Sequence, residues 1–181
     1  MIKSNSKFKN LNSGFTLLEA LVAVSILMVA VVAPMTVAQK GLSSATYSKS
    51  QMIASYLAQD AIEYIKNVRD QVSIRNSFDW NGLWGAGGFF ELCQSPYLCK
   101  IDTNASGGAG LVQAYNNGDI LSKDANGFYG FTGTLTIFSR KIQVALSDDL
   151  DSNGNKYKAL VTVTVGWGTD QVEVKTLIFN Y

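Results

Sequence analysis

Histidine is absent from all 181 residues, and with it goes the commonest general base, proton shuttle and metal ligand. Ser-His-Asp and Cys-His catalysis and most zinc sites are thereby excluded. No nucleophile motif or carboxylate spacing replaces them, so the composition argues against an enzyme. Cysteine is nearly absent: Cys93 and Cys99 stand in a C-x5-C interval inside a Gly-rich, loop-like stretch. A reactive dithiol needs a helix N-terminus or basic neighbours, and Lys100 is the one such neighbour. The pair therefore reads as a structural disulfide in an oxidising compartment. Excess charge is also missing. Fifteen Lys+Arg face fourteen Asp+Glu, and Lys3, Lys7 and Lys9 all precede Gly14, so the rest of the chain carries a net −2. A nucleic-acid footprint is not present.

What is there begins with a polar, basic stretch from Met1 to Ser13. From Phe15 to Ala38 follow 24 residues whose only polar members are Thr16, Glu19, Ser25 and Thr36. At about 1.5 Å per residue this run spans roughly 36 Å as a helix, enough for a bilayer core of about 30 Å. In a secretory signal peptide the small residues follow the apolar region. Here Ser13-Gly14 precedes it, which argues for cleavage of a 1–14 leader on the cytoplasmic side, with the apolar helix retained. Pro34 lacks an N–H for the helical ladder and should kink the helix near residue 30.

Residues 39–72 turn amphipathic, with Ile53, Leu57, Ala61, Tyr64 and Val68 forming a stripe and Lys49, Gln59, Glu63 and Lys66 off it. Residues 73–127, rich in Gly, Asn and Ser, read as a long ordered connection with short strands at most. Beyond them the period becomes two: Phe138 to Leu146, Val161 to Trp167 and Val172 to Ile178 read as three antiparallel strands in a meander. The fold class expected is α+β, with the amphipathic half of the helix packed on the sheet of one β-rich head over 73–181.

The block Gly14-Phe15-Thr16-Leu17-Leu18-Glu19-Ala20-Leu21-Val22-Ala23 closely resembles the prepilin cleavage and methylation motif of type IV pilins and type II secretion pseudopilins. An acid inside such a run costs about 2.5 to 3.5 kcal/mol at a membrane centre, so a partner is expected; a generic signal anchor with Glu19 at the interface is the alternative. The resemblance implies that Gly14 is the last leader residue read by a prepilin peptidase and methyltransferase. It implies that Phe15 becomes the N-methylated first residue, and that Glu19 pairs with a neighbouring subunit's amine and sets register. It also implies a single-pass protein of the bacterial inner membrane, its head outside the cytoplasm, that assembles with other pilins or pseudopilins into an extracellular or periplasmic filament. Within the family, Tyr47 to Asp70 and the Val-Thr-Val-Thr-Val-Gly-Trp strand look most like the minor pilins called type IV pilus modification proteins.

Two weaker patterns remain. Asp149, Asp151, Asn153 and Gly154 match the start of a calcium loop. Leu160 occupies the position of the bidentate Glu, which excludes a full EF-hand and leaves a looser hairpin site with Asp148, or a solvated turn. Trp80, Trp84, Phe89 and Phe90 read either as core beneath a long loop or as an adhesive patch. Function is thus expected to be that of a structural subunit at filament initiation or tip. A filament-borne adhesion or DNA-uptake module is the alternative, and a membrane-anchored enzyme a third reading.

Overall fold

The computed structural model describes residues 14–75, 80–104, 111–150 and 156–179. The chain divides into two units, Met1–Thr46 and Tyr47–Tyr181, and the helix α1, Leu17–Arg75, contributes to both. A short helix α2, Trp80–Trp84, follows. Next come strands β1 (Cys99–Ile101), β2 (Val112–Ala114), β3 (Ser122–Lys123), β4 (Tyr129–Gly130), β5 (Thr134–Leu135), β6 (Phe138–Leu146), β7 (Lys158–Trp167) and β8 (Asp170–Phe179). The arrangement is α+β, a long N-terminal helix followed by an antiparallel sheet.

The meander expected from the alternating residues is present. β6 pairs with β7 from Phe138↔Trp167 to Leu146↔Ala159, and β7 with β8 from Lys158↔Phe179 to Trp167↔Asp170. The β7–β8 turn is two residues, Gly168-Thr169, and Gly168 takes φ +59, the left-handed value that such tight hairpins require. The sheet is wider than three strands, however. Its order is β2-β1-β6-β7-β8, and a second sheet of order β4-β3-β5 lies beside it in sequence. The stretch read as a connection thus supplies two strands to the main sheet and one to the small sheet, as well as α2 and a 3-10 turn at Glu91–Cys93. Elements of two to five residues are shorter than any period can reveal. At Gly133 the chain adopts φ +119, and a Cβ there would collide with the Lys123 carbonyl, so glycine is what lets β5 approach β3.

Ala54, Leu57, Ala58, Ala61, Ile62 and Ile65 of α1 are buried and recur at the three-and-four spacing of one helix face. The expected stripe forms one margin of this face: Leu57 and Ala61 lie within it, whereas Ile53, Tyr64 and Val68 are half-buried at its edge. Small alanines at 54, 58 and 61 let the helix backbone lie close to its neighbours. Opposite stand the inward residues of the sheet, Ile142, Val144, Val161, Val163 and Val165, all fully buried. Trp84 stacks on Phe90 with ring centroids 5.2 Å apart, and Trp80 meets Trp84 edge-on at 5.7 Å; all three belong to the same core as Cys93, Cys99 and Ile101.

Candidate functional site

Gly14, Phe15 and Thr16 precede the helix, which starts at Leu17. Thr16 caps it. Its hydroxyl accepts a hydrogen bond from the Glu19 N–H at 3.2 Å, and its carbonyl accepts one from the Ala20 N–H at 3.1 Å. Thr16 followed three residues later by Glu19 is the sequence form of a capping box, and Glu19 lies in the first turn, where the helix dipole favours an acid. Glu19 therefore has a local reason to be where it is, one that the T-x-x-E spacing already contains.

The other polar side chains of the apolar run satisfy themselves. Ser25 donates to the Val22 carbonyl and Thr36 to the Ala33 carbonyl, both at 2.8 Å, so each hydroxyl is closed against its own backbone. The Glu19 carboxylate is different: it has no partner among the described residues. Around it the apolar side chains are bare. Phe15 is 74% exposed, Leu17, Leu18 and Leu21 are exposed too, and the helix is long and apolar enough to cross a membrane. Pro34 lies inside α1, which continues through it.

In the head, Cys93 and Cys99 form a disulfide, both fully buried. Of the four aromatics considered for an adhesive patch, Trp80, Trp84 and Phe90 are buried and Phe89 is 38% exposed, so the core has taken the residues that a patch would need. Of the calcium pattern, Asp151 and Asn153 lie outside the described residues. Asp149 is already engaged, in an ion pair with Lys158 and a hydrogen bond from the Ser147 hydroxyl. Lys158 first and Ser147 next hold its carboxyl below the usual range, and Asp148 pairs with Lys156 at 3.1 Å. Both of the Asp149 contacts fall on its Oδ2. Among the described residues no three His, Cys, Asp or Glu side chains are grouped to hold a metal.

The residue that the sequence reading passed over is Arg140. Its side chain is fully buried and donates to the Leu57 carbonyl (3.0 Å) and Asp60 Oδ2 (2.8 Å) of α1, to the Ile101 carbonyl (2.8 Å) and to Thr103 Oγ1 (3.4 Å). Burial pulls its pKa down, and Asp60, then Asp102, push it back. Parity could have found it. Arg140 lies two residues from both Phe138 and Ile142, on the face of β6 that alternation turns inward.

Residues 9–33 match the family described as the prokaryotic N-terminal methylation motif. No curated protein and no solved structure matches the chain. The matched segment covers Gly14, Phe15, Thr16 and Glu19 and ends one residue before Pro34. It supports a type IV pilin-like protein, and a motif of this kind implies processing by a prepilin peptidase.

Proposed function

We propose that this chain is a structural subunit of a type IV pilus or type II secretion-type filament, held before assembly in the bacterial inner membrane by residues 15–38 with the head outside the cytoplasm. The finer role is that of a minor pilin or pseudopilin acting at initiation or tip. One observation carries the reading: in an apolar run where Thr16, Ser25 and Thr36 each bond to the helix backbone, the Glu19 carboxylate has no partner among the described residues, and it lies inside the methylation motif. Removal of the leader after Gly14 would create an amine at Phe15, a cation that a carboxylate in a low-dielectric filament core attracts strongly.

The test is Glu19→Val in cells with an active prepilin peptidase. Mass spectrometry should find Phe15 at the N-terminus of both the parent chain and the variant, because the substitution makes the helix more apolar and spares Gly14 and Phe15. Incorporation into filaments should fall at least tenfold, as expected from about 1.4 kcal/mol or more lost on the docked state, with Glu19→Gln intermediate. Normal incorporation of Glu19→Val would reduce Glu19 to a first-turn acid favoured by the helix dipole and overturn the proposal.

A further inference from the structure

A groove of about 470 Å³, open to solvent, runs between α1 and the turn that leads into β4, with Tyr56, Asp60, Thr103 and Phe128 among the residues that line it. Two features set it apart. Tyr56 is 64% and Phe128 60% exposed, two large aromatic surfaces left in water at one groove. In the same groove Asp60 is held in a fixed orientation. Its Oδ2 accepts from Arg140 at 2.8 Å and from the Thr103 hydroxyl at 2.6 Å, while Oδ1 has no partner among the described residues and the side chain is 49% exposed. Tyr56 and Asp60, four apart on one helix, share a face.

We propose that this groove receives an arginine or lysine side chain carried on an extended segment of another polypeptide. The cation's charge would meet Asp60 Oδ1 and its apolar stem or planar head would lie against Tyr56 and Phe128. Aromatic faces attract cations, and a carboxylate fixed in advance spends less ordering entropy on a charge-assisted hydrogen bond. Arg140 does not compete for the outer oxygen, being sealed beneath with no side-chain exposure. The neighbouring hairpin already makes such a contact, with Lys123 Nζ 5.8 Å from the centre of the Tyr129 ring. A polypeptide fits better than a free small cation because the groove is open: small-ligand sites bury most of their ligand, whereas a side chain on a peptide brings flanking residues to cover the exposed rings. The proposal stands whether or not the chain assembles through Glu19.

The experiment uses the full chain in detergent micelles with isotope-labelled aromatic rings, titrated at low salt with a capped pentapeptide, Gly-Gly-Arg-Gly-Gly. The Tyr56 and Phe128 ring resonances should shift saturably. The same peptide with citrulline, neutral and of the same shape, should bind roughly tenfold more weakly, as expected for loss of a charge-assisted contact. Tyr56→Ala and Phe128→Ala should each weaken the arginine peptide roughly three- to tenfold with an unchanged melt. Absence of shifts, equal binding of the citrulline peptide or of a neutral oligosaccharide, or full affinity in both variants would overturn the assignment. The arginine-against-citrulline comparison on the unsubstituted chain decides the matter even if a variant misfolds.

Discussion

Arg140 is buried in the head and bonded to α1, to β1 and to Thr103 just beyond it. Four oxygen atoms converge on its guanidinium, so Arg140→Ala would take a donor from two carbonyls and leave the inner oxygen of Asp60 with the Thr103 hydroxyl. Breaking such a pair costs about 3 to 5 kcal/mol, and the low end applies because Asp60 faces water on one side. Denaturant midpoints should show this loss, with Arg140→Met milder because its stem still fills the space. A loss under 1 kcal/mol for Arg140→Ala would mean that the network adds little. Asp119 gives the head a pH dependence. The Asn116 N–H donates to it at 2.8 Å and Lys100 pairs with it at 3.0 Å, and these hold its carboxyl below the ordinary value. The folded chain therefore binds that proton more weakly than the unfolded one. The resulting stability is complete above the unfolded carboxylate pKa of about 4 and is lost as pH falls through the lower folded value. Asp119→Asn should flatten the acid limb of a stability-against-pH curve; an unchanged limb would assign the acid sensitivity elsewhere.

Among elements, the segment between α1 and β3 depends most on a covalent tie. The disulfide joins the 3-10 turn ending at Cys93 to the first residue of β1, and closing seven residues is worth roughly 2 to 2.5 kcal/mol in the chain-entropy account. Reduction should lower the unfolding free energy by about that much, since both sulfurs are buried and β1 is held in the sheet by only three residues; an identical melt with and without reductant would contradict this. β8 is a different matter. It is a ten-residue edge strand with no proline, and the Glu173–Lys175 pair at 2.7 Å on it is the kind of charge that keeps an edge from pairing indiscriminately.

At the scale of the whole molecule, what the sequence made legible follows the length of the elements. Three strands of nine or ten residues and a 59-residue helix carry enough repeats for periods of two and 3.6 to emerge from noise. The strands of two or three residues and α2 carry none; their positions come from tertiary contacts such as Cys99↔Ile142 and Trp84 against Phe90. The expected helix stripe holds, with Leu57 and Ala61 buried and Ile53, Tyr64 and Val68 packed against the core at its edge, and close packing extends it to the alanines at 54 and 58. At the N-terminus Gly14, Phe15 and Glu19 could be read from their order alone, since a linear motif needs no fold to assemble it. The groove at Asp60 could not. It joins residues 56–60, 103 and 128, which only the folded head brings together.

The Arg140 contacts also carry a mechanical meaning. One guanidinium grips α1 through Leu57 and Asp60, reaches β1 through Ile101, and is itself rooted in β6, so it acts as a rivet through three separate parts of the head. Tension drawn along the helix within the head is shared among bonds that have to rupture together, and that raises the barrier which governs forced unfolding. An α1 loaded along its axis is thereby fastened where it is pulled, and Arg140→Met, tolerable at rest, should give way at a lower force.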